Sequence, residues 1–292
     1  MPRRSPIEWP GGARIAVIPQ LVFELWSGDK VESGRSQVPG LNAEDIRLGR
    51  PDLLGRSWQS YGGKVGAWRI FELLQKYGIN GSGFFNALAV ERFPEFSRAW
   101  VDGGHEIVAH SYAQDIRVFR LTAEEERANL RKSIDAIERV TGYRPVGWVA
   151  PGGHRSPNTA QILLEHGFIY SADYKDDDIP YTAEVIDGRK LVAVPKPYDI
   201  NDYTIYATGA NPPSAYVEIF CRSFDILYEE SKSHPKMTNI TAHAPLFGHP
   251  MGAWAFEECI RYARSFKDVW FATGREVAQW WLDRYEGARD EK

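Results

Sequence analysis

The 292 residues are enough for one large α/β domain or two small ones with a full core, and the composition is that of an ordinary soluble globular chain. A net charge of −4, spread without long runs, argues against a nucleic-acid or anionic-membrane surface as the main partner, and no apolar run is long enough to span a bilayer. The first residues carry charge without an apolar stretch behind them, and Cys221 and Cys259 fall in helix-like patterns as small core residues, neither disulfide nor metal pair; the expectation is a cytoplasmic protein.

Taken in order, residues 1–12 are rich in Pro and Gly and read as an arm on the surface or on a neighbour. Residues 14–23 form an apolar run, interrupted by Pro19 and Gln20, that reads as a buried strand with Glu24 at its C-terminal end. Residues 27–63 have weak periodicity and read as a long loop, functional or a lid. Helical spacing follows over 67–77, stopped by Gly78. A strand over 81–86 leads into a helical stretch over 87–102 that Pro94 divides. The next strand, 106–109, runs straight into His110 and Ser111. Thr122 and Glu125 make a capping box for a long helix closed by Gly142. A strand over 146–150 and a helix over 158–166, opened by Ser156 and Pro157, come next. A short strand over 169–172 ends near Asp173. Residues 174–190 are an acidic insertion, read as a hairpin with Asp187 and Gly188 at its tip. After a strand at 191–194 and a polar loop to 210, a helix over 213–231, a strand over 237–242 ending on His243, a helix over 252–266, a strand over 269–272 and a helix capped by Thr273 and Glu276 complete the chain.

Strand and helix alternate roughly seven times, which predicts a parallel sheet. No G-x-G-x-x-G follows the first strand, and polar residues end several strands. A closed or distorted (β/α) barrel is therefore expected over an open doubly wound sheet. Its C-terminal rim would carry Glu24, Asn86, His110, the loop Pro151, Gly152, Gly153, His154 and Arg155, then Asp173 and His243. This is a hydrolytic inventory. A carboxylate or imidazole can activate water, another imidazole can protonate a leaving nitrogen, and backbone N–H groups of a Pro-Gly-Gly loop can stabilise an oxyanion. Each residue also has a structural alternative: His110 as a core histidine on a backbone carbonyl, Arg155 pairing Glu24, Asp173 capping a loop. The ten Trp, fourteen Tyr and fourteen Phe fit either a large core or an oligomer interface and ring-lined pocket.

The stretches WPGGARIAV, GAWRIFELLQKYGI, ERFPE, GHEIVAHSY, TGYRPVGWVAPGGHRSPNT, YKDDDIPY and TAHAPLFGHP, in this order, resemble the polysaccharide deacetylase (NodB-homology) family, in particular its intracellular allantoinase-like and cyclic-imide-hydrolase-like branch. The resemblance implies one distorted (β/α)7-type barrel over 13–285, between the arm and a tail at 286–292, and hydrolysis of C–N bonds other than peptide bonds. Metal-dependent members end their first strand Asp-x-Asp, as base and ligand; here those positions are Val22 and Glu24. The second metal-binding His of the family is Gln114 here, with Asp115 one residue out of register. The allantoinase-like branch shares the Glu, lacks the second His and is taken to work without metal. Where that branch has an Arg-rich His-Cys-Arg…Gly-Arg-Pro block, this chain has His243-Ala-Pro…Gly248-His249-Pro250, which makes allantoin itself a poorer fit.

The expectation is thus a hydrolase of a small amide, ureide or cyclic imide. Glu24 and His110 would position and deprotonate water, the Pro151-Gly152-Gly153 loop would hold the oxyanion, and His243 would protonate the departing nitrogen. His154, Arg155, Asp173 and His249 would contact substrate, and aromatics of the 27–63 loop would close over it. No cofactor is expected; a weakly bound zinc ion on Glu24, His110 and Gln114 is the one metal arrangement the residues allow, and a weak one because Gln is a neutral donor. The alternatives are a metal-dependent N-deacetylase of a sugar or peptidoglycan fragment and, in another class, an inactive binding protein on the same barrel. The resemblance and the aromatic-rich helices suggest a homo-oligomer, a tetramer.

Overall fold

Strand β1 (Ile15–Phe23) is buried along its whole length and organises the sheet. It is part of a computed structural model that describes residues 7–27 and 41–285. After β1 come helices α1 (Ala43–Arg47), α2 (Leu53–Tyr61) and α3 (Ala67–Tyr77), then β2 (Ser82–Phe85), α4 (Ala87–Arg92), α5 (Pro94–Asp102) and β3 (Glu106–Ala109). The middle of the chain gives α6 (Ala123–Thr141), β4 (Gly147–Trp148), α7 (Thr159–Glu165), β5 (Tyr170–Ser171), β6 (Tyr181–Ile186) and β7 (Arg189–Ala193). The last part is α8 (Pro213–Glu230), β8 (Lys236–His243), α9 (Pro250–Arg264), β9 (Val269–Phe271) and α10 (Gly274–Tyr285). Among the described residues no helix is long and apolar enough to cross a membrane.

The sheet runs β6-β7-β5-β4-β3-β2-β1-β8, with β9 also on β1. Every pairing is parallel except the β6–β7 hairpin. Asp187 and Gly188 at its tip both have positive φ (51° and 74°), the geometry that matches strand twist in a two-residue turn. The curved sheet with helices around it is a distorted (β/α)7-type barrel. Its gap, between β8 and the hairpin, is bridged by the loop before β6: Met237 N–H donates to the Asp178 carbonyl at 2.9 Å. Pro19 lies in the middle of β1 without cost because the strand's edge changes partner there. Ile15 to Val17 pair with β9 and Gln20 to Phe23 with β2. A missing N–H at the fork breaks no ladder.

Period-two alternation divides β1 between two cores. Ile15, Val17, Leu21 and Phe23 face the helix layer, while Ala16, Ile18 and Val22 face the barrel interior with Phe84, Val108 and Val149. The lower end of that interior is filled by α10, whose Trp280 and Trp281 share its core, and whose Gly274 N–H donates to Ser82 Oγ at 2.9 Å. This leaves the C-terminal ends of the strands open.

Three expectations need correction. From Ile7 onward the N-terminal stretch is no arm: Ile7 and Trp9 are buried, and Trp9 Nε1 donates to the Lys236 carbonyl at 3.0 Å. The loop expected over 27–63 holds two helices, α1 and α2, and a π-helical turn (Gly62–Gly66) joins α2 to α3. Its glycines serve close packing: a side chain on Gly63 would strike the Phe93 ring, and one on Gly66 the Ala244 carbonyl. Helix α7 begins at Thr159 with Asn158 as its N-cap, and Ser156 Oγ and Thr159 Oγ1 both donate to the buried Glu126 of α6, at 2.5 Å each. Positions 1–6, 28–40 and 286–292 lie outside the described residues, with the parts of the arm, loop and tail expectations that fall on them.

Candidate active site

The parity that sends Val22 and Val108 inward also sends Glu24 and His110 into the same space, one step beyond each strand. Asn86 braces the two ends: its Oδ1 accepts from Leu25 N–H at 2.9 Å and its Nδ2 donates to the His110 carbonyl. Ser111, at φ 61°, then turns the chain sharply away, a left-handed residue without glycine's freedom and so a strained one.

His110 Nδ1 donates to the Val149 carbonyl at 2.7 Å, leaving Nε2 at 3.0 Å from Glu24 Oε1. Both facing atoms carry lone pairs, so this contact is a hydrogen bond only with a proton between them. Burial alone would push the Glu24 carboxyl up. The hydrogen bond from His110 and the charges of His243, His110 and Lys196 outweigh it and hold the group below its usual value. Glu24 therefore stands as a carboxylate facing the His110 ring. The second oxygen, Oε2, points at His243 Nε2 at 4.0 Å. His243 is fixed from behind by Asp202, which is fully buried: Oδ1 accepts from Nδ1 at 2.6 Å and Oδ2 from the His243 backbone N–H at 2.7 Å. Burial disfavours the imidazolium, but the charge and hydrogen bond of Asp202, with Glu24 beyond, raise the His243 pKa overall.

These groups line a cavity of about 680 Å³ with Trp26, Phe84, Phe119, Tyr198 and Tyr203 as its aromatic wall. No residue of 41–63 lines it, so the expected aromatic lid does not come from that part of the loop; Tyr61 instead stacks on His249 at 3.9 Å. The expected site residues divide accordingly. Glu24, His110, His243, Gly152, Gly153, His154 and Gln114 line the cavity. Pro151, Arg155, Asp173 and His249 do not. Arg155 lies over the Tyr174 ring, 4.1 Å from its centroid, and 3.8 Å from Glu184, so it does not pair Glu24. Asp173 takes its structural alternative, accepting from Ala150 N–H at 2.8 Å and Ser171 Oγ at 3.1 Å. The oxyanion expectation also narrows, because Gly153 N–H is spent on the Ala150 carbonyl at 2.7 Å within the turn.

Two residues were missed. Asp202 follows a polar loop with no periodicity to mark it, and Lys196 stands in an apolar-to-polar transition just after β7. Both are buried, and only the fold brings them to the rim.

For a metal ion, the donors at hand are Glu24, His110 and Gln114. Gln114 Oε1 is buried without a hydrogen-bond partner, as a ligand atom would be. The rest of the chemistry opposes a cation. Gln is a neutral donor, Asp115 is spent on Ser27 N–H at 2.8 Å, and Arg117, Arg120, Lys175 and Lys196 line the same cavity. Among the described residues no group of three or more His, Cys, Asp or Glu side chains could hold a metal ion. The set fits zinc poorly.

Comparison with known proteins decides the family. The polysaccharide deacetylase pattern matches residues 61–171. A probable polysaccharide deacetylase from Pseudomonas aeruginosa PAO1 superposes with a TM-score of 0.85 at 32% identity, covering 95% of this chain and 94% of the other. The chain belongs to the polysaccharide deacetylase family. A PuuE allantoinase superposes equally well, with a TM-score of 0.85 at 30% identity over 98% of both chains. A peptidoglycan deacetylase of Helicobacter pylori is 26% identical over 265 residues, 80% of this chain and 89% of its own length. As a member of this family, close in structure to the allantoinase, the chain is a hydrolase of C–N bonds other than peptide bonds.

Proposed function

We infer that this hydrolase cleaves a small amide, ureide or cyclic imide, and does so without a metal. The observation that carries the reading is one carboxylate between two imidazoles: Glu24 lies 3.0 Å from His110 and 4.0 Å from His243, and His243 is backed by Asp202. The cavity volume suits a small molecule.

In this mechanism Glu24 Oε2, the oxygen not bonded to His110, takes the proton of an attacking water. His110 holds the carboxylate in place from the other side. As the tetrahedral intermediate forms, its oxyanion meets cationic and N–H donors of the cavity wall. His243, whose pKa Asp202 raises, then delivers a proton from Nε2 to the departing nitrogen. General acid–base and electrostatic contributions of this kind are each worth about 10²–10⁴ in rate. That total suits a strained ring imide or a ureide better than an unactivated acetamide. The structural likeness to an allantoinase supports the same class.

The second reading is metal-assisted deacetylation of a sugar fragment, favoured by the unpaired Gln114 Oε1. The test is elemental analysis of chelator-treated protein beside a panel of succinimide-type imides, hydantoins, allantoin and N-acetylglucosamine oligomers. Imide or ureide turnover by metal-free protein is the expected result. Stoichiometric zinc with turnover of the sugar alone would replace the first reading with the second.

A further inference from the structure

The cavity holds more positive charge than hydrolysis of a neutral amide requires. Among the described side chains that line it, Glu24 is the sole carboxylate, while Arg117, Arg120, Lys175 and Lys196 are cationic. Lys196 is the most telling. It is 9% exposed, lies 5.3 Å over the Phe84 ring, and its Nζ makes no hydrogen bond or ion pair among the described residues. Three carboxylates stand near enough to influence it, but each is engaged elsewhere: Glu24 with His110, Asp202 with His243, Asp173 with Ala150 N–H and Ser171.

A second ammonium sits beside it. Lys175 follows β5 and Lys196 follows β7, its paired neighbour, and Lys196 N–H donates to the Tyr174 carbonyl at 3.1 Å. Lys175 Nζ is held by the Ala172 carbonyl at 2.8 Å and lies 5.2 Å from the Tyr198 ring centroid. Burial draws both lysines down to about 8, and for Lys175 the charge of Lys196 adds to the effect. Two like charges side by side repel, and Lys196 Nζ, which has no hydrogen-bond partner among the described residues, turns its donors to whatever anion enters the cavity.

The geometry points to a substrate that is itself an anion: an amide, ureide or imide bearing a carboxylate, which seats on Lys196 with Lys175 and Arg117 flanking it. This rests on the small-amide reading and narrows it to acidic members. The carboxylate supplies the acceptors that Lys196 lacks, and anchors the molecule so that its C–N bond lies over Glu24. Neutral sugar amides offer the lysines acceptors but no charge.

Calorimetry with succinamate and with succinamide, its neutral counterpart of the same size, tests this on wild type, Lys196→Met and Lys196→Arg. Wild type is expected to bind succinamate about 10-fold or more tighter, as a charge-assisted bond predicts. Lys196→Met should lose that preference and Lys196→Arg keep most of it. Equal binding of the two probes by wild type, a preference that survives in Lys196→Met, or stronger binding of inorganic phosphate than of succinamate would overturn the inference. The two readings fail separately. Turnover of neutral and acidic imides at equal kcat/KM would sink the anion site and leave the small-amide hydrolase standing. Anion-selective binding that Lys196→Met abolishes, with no turnover of any imide or ureide, would keep the site and sink the reaction.

Discussion

At the scale of single residues, the site separates the roles of its two histidines by what stands behind each. His110 is backed by a neutral carbonyl and faces the carboxylate; His243 is backed by a carboxylate and faces the reaction space. Glu24→Gln keeps the volume but removes the base, and kcat should fall by about 10²–10⁴ with an unchanged circular dichroism spectrum. A variant with near-wild-type turnover would show that the base lies elsewhere. Asp202→Asn removes the group that raises the His243 pKa, so the alkaline limb of the kcat–pH profile should move to lower pH. An unmoved limb would mean that His243 is not the acid. Glu24, His110 and His243 were legible because each continues a strand pattern, and strand parity fixes where such a residue points. Asp202 and Lys196 were not, because they lie in coil, where no period relates position to direction. Arg155, Asp173 and His249 were near the rim in sequence, but hydrogen bonds and ring stacking hold them outside the cavity.

At the scale of elements, the loop from Ala150 to His154 shows how backbone form limits chemistry. Gly152 and Gly153 have φ of 71° and 73°, and a side chain on Gly153 would run into the Tyr198 hydroxyl, which itself donates to the Gly152 carbonyl at 2.9 Å. Gly153→Ala should cost about 1–2 kcal/mol from the left-handed conformation alone, visible as a lower urea midpoint, and should raise KM as Tyr198 is displaced. An unaltered midpoint would show that the turn can re-form with another φ. The elements themselves were mostly legible, since capping residues mark them: Gly78 and Gly142 end α3 and α6 in the left-handed region, and Thr122 with Glu125 opens α6. Helix α2 was not, because residues 27–63 show only weak periodicity, and the glycines at 62, 63 and 66 that follow it carry no helical signal. Their purpose, to let one backbone approach another, leaves no trace in local sequence.

At the scale of the molecule, Glu24 and His243 make stability depend on pH in opposite directions. Glu24 has a lowered pKa in the fold, so its contribution is complete above the ordinary value of 4.5 and is lost as pH falls through the lowered one. His243 has a raised pKa, so its contribution is complete below 6.5 and is lost as pH rises through the raised one. Both are in force between these values, and the urea midpoint should be highest there for these two groups. Asp202→Asn should flatten the alkaline flank and leave the acid flank; a flank unchanged by that substitution would point to other groups. The fork in β1 carries a consequence for the order of synthesis. The strand that delivers Glu24 is made first, yet its neighbours β8 and β9 come from residues 236–243 and 269–271. Until residues 236–271 have left the ribosome, β1 lacks one full edge and the lower half of the other. A nascent chain can therefore assemble β2 to β5 early, but hydrolytic competence arrives only once β8 and β9 have been made, and chains terminated before them should be inert.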